Sequence, residues 1–99
     1  MINSKDYIIS TLKGQKPELL KYGVRNIGLF GSYSRQEQSD ASDVDILVDF
    51  DPGHETFDNL MAIYDLLEKS FNNVRIDVVT KNGLSPHIGP KILSEVQYV

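Results

Sequence analysis

Gly31-Ser32, ten residues, then Asp43-Val44-Asp45 is the arrangement in this chain best suited to chemistry. Side chains alternate along a strand, so Asp43 and Asp45 share one face of the element they open. Two carboxylates on one face suit a divalent cation and do not suit a core. The glycine-serine turn ahead of them offers backbone N–H groups to phosphate oxygens. A further acid, Asp77, lies inside Arg75-Ile76-Asp77-Val78-Val79-Thr80. Phosphates held beside acidic ligands of Mg²⁺ point to phosphoryl or nucleotidyl transfer.

Each of these features also has a plainer reading. A bare D-x-D pair is common as two solvated aspartates at a strand edge. Here Ile46-Leu47-Val48 follows directly and places Asp45 at the threshold of a buried strand, where an unpaired carboxylate is costly. Asp77 sits among β-branched residues and calls for a partner. That partner is Arg25 or Arg75, or a cation shared with Asp45 where their strands are neighbours, since like charges gathered there repel. Gly31-Ser32 reads equally as an ordinary capped turn between strand and helix. Arg35 fits two roles, contacting phosphate or bracing a nearby carboxylate. His54 and His87 read as surface or loop residues. Asp40, Asp49 and Asp51 read as solvated loop or strand-end acids, and Lys13 and Lys16 as solvated.

The elements that position these residues follow from local pattern. Asn3 or Ser4 caps a helix to about Lys13, with Tyr7, Ile8 and Leu12 near one face and Gly14 ending it. Pro17 opens a second short helix, which Gly23 stops. Val24 to Phe30 is a first strand, Tyr33 to about Gln38 a short helix, and Ser39 to Ser42 a loop. Asp43 to Phe50 is a second strand, with Val44, Ile46, Val48 and Phe50 opposite Asp43 and Asp45. Asp51-Pro52-Gly53 is a turn. Thr56 caps a helix to about Phe71, along which Leu60, Ile63, Tyr64, Leu67 and Phe71 recur at helical spacing, and Asn72-Asn73 ends it. Val74 to Thr80 is a third strand and Asn82-Gly83 a turn. A last helix runs from about Pro86 to Glu95 with Ile88, Ile92 and Leu93 inward. Helices alternate with strands, which defines an α/β layer structure.

Composition narrows the function classes. The 99 residues are 40% hydrophobic, enough for one small domain, residues 1–99, with a modest core. No cysteine is present, so neither a disulfide nor a thiolate zinc site is available. A metal bound here would be hard and oxygen-liganded. The net charge of −4 and the lack of a basic groove disfavour nucleic acid as a partner. No signal peptide or membrane span is apparent, and the expected location is the cytoplasm.

Ile27-Gly28-Leu29-Phe30-Gly31-Ser32-Tyr33-Ser34-Arg35, Ser42-Asp43-Val44-Asp45-Ile46-Leu47-Val48 and Ile76-Asp77-Val78-Val79 together resemble the polymerase-beta-type nucleotidyltransferase superfamily. Within it the chain is similar to the minimal nucleotidyltransferase antitoxins that pair with HEPN toxins. The G-S-x10-D-x-D spacing is met in full, and Ile92 to Val99 looks like the family's ending. One departure is Gln36, where many relatives carry glycine.

The resemblance implies a small nucleotidyltransferase fold with a mixed sheet of about three strands packed with helices. It implies that Asp43 and Asp45 bind two Mg²⁺ ions, and that Asp77 completes one metal site and helps deprotonate the acceptor hydroxyl. Gly31 and Ser32, with Arg35 beside them, would hold the triphosphate of ATP. The acceptor would attack the α-phosphorus in line and pyrophosphate would leave, with two metals about 3.5–4 Å apart stabilising the entering and leaving oxygens. The implied partner is a HEPN toxin, a ribonuclease, with AMP passed to one of its tyrosines. Two rivals stand beside this reading. The protein could neutralise a toxin by binding alone, or modify a small molecule. The chain's size leaves little room for the substrate domain that the second of these needs.

Overall fold

The computed structural model describes residues 4–39, 41–71 and 74–99. The expectations for Asn3, Asp40 and Asn72-Asn73 lie outside the described residues. The first element, α1, spans Lys5–Leu20, and the Ser4 hydroxyl caps it by accepting the Tyr7 N–H at 3.0 Å. It runs unbroken past Gly14 and through Pro17, in place of the two helices those residues predict. The reason is energetic. Ile8, Leu12 and Leu19 all reach the core from this one helix. Burying three such side chains contributes about 1.5–3 kcal/mol each, against roughly 3 kcal/mol for an interior proline. Tyr7 does not share their face and is exposed.

Among the described residues four strands follow: β1 (Val24–Phe30), β2 (Val44–Phe50), β3 (Ile76–Thr80) and β4 (Gln97–Tyr98). They form one mixed sheet in the order β3-β2-β1-β4. β1 runs antiparallel to β2 and β4, while β2 and β3 are parallel. The helix α3 (Phe57–Ser70), capped by Thr56 as its sequence predicts, makes the crossover that parallel neighbours require. β3 starts two residues later than its apolar run does. β4 was not legible, because two residues carry no alternation. It is fixed by pairing Gly28 with Tyr98 and Leu29 with Gln97. A Cβ at Gly28 would stand 2.7 Å from Val96 Cγ2, so this close approach needs glycine.

The two sheet faces are unequal. Val44, Ile46, Val48 and Phe50 form the larger core with α1 and with Ile63 and Leu67 of α3, on the face opposite Asp45 as alternation predicts. On the other face Leu47 and Phe30 meet Ile92 of a two-turn helix, α4 (Gly89–Glu95). Of Ile88, Ile92 and Leu93, only Ile92 is buried. Ile88 sits at the cap ahead of the helix, and a helix this short aims one position at the sheet.

Asp49 departs most from its solvated reading, being only 4% exposed inside β2. The β1–β2 register shifts between Val24 and Asn26, and this bulge brings Arg25 and Asn26 together beside the acid. Arg25 Nη2 donates to both Asp49 oxygens at 3.3 Å, and Asn26 Nδ2 donates at 3.5 Å. A buried carboxylate is tolerable only when paired in this way. Arg25 is thereby committed to Asp49 and is not the partner of Asp77.

Candidate active site

At the end of β1 the chain turns into a one-turn helix, α2 (Gly31–Ser34), which starts earlier and stops sooner than the predicted Tyr33–Gln38. Gln36 stops it, holding φ at +59° in the left-handed region. An L side chain there costs about 1–2 kcal/mol. Gln36→Gly should therefore stabilise the protein by roughly 0.5–1 kcal/mol once glycine's greater unfolded-state freedom is subtracted. A thermal melt should show the midpoint rising by about 4 °C; a fall would contradict the strain argument.

The strand register assembles the acids. Phe30 pairs with Asp45 across β1–β2, and Asp45 pairs with Asp77 across β2–β3. Gly31, Asp45 and Asp77 therefore line up across three neighbouring strand ends. Gly31 has φ +75°, and a Cβ there would collide with Asp45 Oδ2. The glycine thus serves both an unusual backbone angle and a close approach to a carboxylate. Ser32 is half-buried, and its hydroxyl has no hydrogen-bond partner among the described residues.

Asp43 and Asp77 differ in their surroundings. Asp77 is exposed on the edge strand β3, with no ion pair among the described residues. Arg75, the other candidate for it, pairs with Asp43, with Nε 3.0 Å from Oδ1. The register explains the choice. Val44 N–H donates to the Arg75 carbonyl at 2.8 Å, and Val44 pairs with Ile76, so Arg75 falls beside Asp43. The contact is close but poorly aligned, and Asp43 Oδ1 is shielded from solvent without accepting a hydrogen bond. Among the described residues, no three acids converge into a ready-made metal cage.

The field at Asp45 is strongly negative. Burial first, then the Asp77 and Asp43 carboxylates, push its pKa from 3.8 up to about 6; Arg35 opposes the rise and Glu95 adds to it. The proton is therefore held more tightly in the folded chain than in the unfolded one. In the metal-free protein the resulting stability is complete below about pH 4 and is lost as pH rises through 6. Asp45→Asn removes this dependence. It should stabilise the metal-free protein above pH 6 by about 1 kcal/mol, after discounting for solvent screening of a half-exposed group. The gain should vanish near pH 4. Melts across this range check the sign, and an equal gain at both ends would overturn it.

Of Arg35's two possible roles, the structure shows the bracing one. Its Nε donates to Glu37 Oε1 at 2.6 Å and its Nη1 to Glu95 Oε2 at 3.0 Å, and these hydrogen bonds raise its pKa further. Glu95 was not singled out by sequence. It lies at the end of α4 and accepts the Gly31 N–H through Oε1 at 3.2 Å. Only its place in the family-like ending pointed to it, and that carries no chemistry. His54 and His87 are exposed, as predicted. Lys16, predicted to be solvated, donates to the Val99 carbonyl at 2.9 Å.

The donor set fits a hard divalent cation. The candidate ligands are all carboxylate oxygens, one is shielded without accepting a hydrogen bond among the described residues, and the charge of Asp45 is opposed by burial and then by like charges that a cation would offset. A mixed α/β sheet with acids aligned beside a Gly-Ser turn suits nucleotidyl transfer. Residues 10–99 match the family model for the nucleotidyltransferase domain, and the chain belongs to that family. It is 43% identical over 95 residues to the protein adenylyltransferase MntA of Thermococcus cleftensis, covering 93% of this chain and 92% of that one. It superposes with TM-score 0.71 and 30% identity on a structure provisionally described as a minimal nucleotidyltransferase, covering 90% of this chain and 93% of the other. A toxin–antitoxin structure with AMP-PNP shares the fold at 21% identity and TM-score 0.56, with 97% of this chain and 72% of that one covered.

Proposed function

We propose that this nucleotidyltransferase is an antitoxin that transfers AMP from ATP to a hydroxyl, a tyrosine, of a cognate HEPN ribonuclease toxin and so neutralises it in the cytoplasm. The observation that carries the reading is the alignment of Gly31, Asp45 and Asp77 across three strand ends, with the Ser32 hydroxyl beside them unpaired among the described residues. The name of the Thermococcus relative supports the protein acceptor, and the AMP-PNP complex supports an adenine nucleotide and a toxin partner.

The Ser32 hydroxyl donates to a phosphate oxygen of ATP. Asp77, exposed on the sheet edge, accepts the proton of the acceptor hydroxyl. The hydroxyl oxygen bonds to the α-phosphorus while the bond to pyrophosphate breaks. An open groove of about 360 Å³ beside the β3 edge, lined by Asp43, Glu68, Val74, Arg75, Ile76 and Asp77, admits the acceptor. Asp43, Asp45 and Asp77 would hold two Mg²⁺ ions, which when bound offset charge on the entering and leaving oxygens. Positioning and charge stabilisation carry most of such a reaction.

The test is the intact mass of the toxin after incubation with this protein, ATP and Mg²⁺. Increments of one AMP support the reading; a stable complex without any increment sinks it. Neutralisation by binding alone is the second reading, and the pairing of Asp43 with Arg75, with no three acids converging into a metal cage among the described residues, favours it.

A further inference from the structure

α2 is too short to hold its own shape. It has a single turn, and isolated turns are unstable because nucleation fixes several residues for one hydrogen bond. Gly31 must nevertheless keep φ near +75° directly against Asp45. Something outside the turn has to fix it.

Glu95 makes the connections that do so. Its Oε1 accepts the Gly31 N–H at 3.2 Å, its Oε2 accepts Arg35 Nη1 at 3.0 Å, and its carbonyl accepts the Ser34 hydroxyl at 3.1 Å. One residue thus grips the first residue of the turn, its last residue and its C-cap. The Glu95 side chain is 19% exposed, against 65% for Glu37, the other carboxylate on Arg35. Exposed pairs are screened and contribute little, so the Glu95 arm is the one able to hold position. The guanidinium also offsets a negative charge placed close to where phosphates would lie. The Gly31 N–H is already used, and the Ser32 hydroxyl has no hydrogen-bond partner among the described residues.

We propose that Glu95 is a positioning residue of the nucleotide site: it locks Gly31 and Arg35 so that the Ser32 hydroxyl keeps its place relative to Asp45. In this arrangement the Gly31 N–H belongs to Glu95 and is not a phosphate ligand. The inference rests on the nucleotidyl-transfer reading above.

The experiment compares wild type, Glu95→Gln and Glu95→Ala in AMP-PNP/Mg²⁺ titrations and in transfer kinetics, below each variant's melting temperature. Glu95→Ala should weaken AMP-PNP binding and raise the KM for ATP by about tenfold, with a smaller change in kcat. Glu95→Gln still accepts the Gly31 N–H and should fall between the two. A role in stability alone would reduce active protein and leave KM unmoved, and that result overturns the proposal. So does tighter binding by either variant, which would mean that Glu95 competes with phosphate for the Gly31 N–H. Glu95→Gln alone decides the case should Glu95→Ala fail to fold: a KM within twofold of wild type or lower counts against the proposal. Wild type that neither binds AMP-PNP nor transfers AMP removes the transfer reading itself, a result distinct from wild-type activity insensitive to Glu95.

Discussion

Incubated with ATP, Mg²⁺ and the proposed toxin partner, the Asp43→Asn/Asp45→Asn variant should leave that partner's mass unchanged while the wild type modifies it. The two residues supply a carboxylate whose shielded oxygen has only the poorly aligned Arg75 beside it, and a carboxylate whose charge is opposed first by burial and then by the neighbouring acids. Both features are costs that a bound cation would relieve, so the substitutions remove binding for the charge-stabilising group without removing core. Losing several kcal/mol of transition-state stabilisation corresponds to a fall of about a thousandfold or more. The variant should still fold, because Val44, Ile46 and Val48 pack on the opposite face. Transfer at more than about a tenth of the wild-type rate would remove these residues from the chemistry. The same variant at stoichiometric levels separates the two modes of neutralisation. If the toxin is still silenced with its mass unchanged, binding alone suffices.

Gly31→Ala is the second large effect, and its cause is steric. A Cβ at this position has no room beside Asp45 Oδ2, and φ +75° disfavours an L residue. Either Asp45 rotates away or α2 shifts, and a displacement on the order of 1 Å costs roughly a hundredfold in transfer. The control is Gly53→Ala. Gly53 has φ +83°, and an added methyl there would meet nothing within 4 Å, so this variant carries the backbone strain without the collision. Both variants should lose about 1–2 kcal/mol of stability, seen as a lower melting temperature. Only Gly31→Ala should lose activity. Equal activity in the two would show that the approach to Asp45 is not functional.

Much of this site is written in local pattern. Alternation placed Val44, Ile46, Val48 and Phe50 on one face and Asp45 on the other, and the structure agrees. Thr56 capped α3 as its type predicts. Local rules failed where packing outweighed them. Gly14 and Pro17 read as helix punctuation, yet Ile8, Leu12 and Leu19 hold α1 continuous through both. Asp49 read as solvated because nothing near it in sequence shows that a bulge carries Arg25 to its side.

By itself the sequence determined the three longer strands, the spacing from Gly31-Ser32 to Asp43 and Asp45, and the third acid in its apolar run. These depend on backbone periodicity within a few residues. Only the tertiary structure decided which charge meets which. Arg75 goes to Asp43 and leaves Asp77 without an ion pair among the described residues, Arg25 goes to Asp49, and Glu95 reaches back to Gly31 and Arg35. Ion pairs and anion contacts need no particular spacing along the chain. They follow from strand register and from where a distant helix docks, and both are fixed only when the whole core closes.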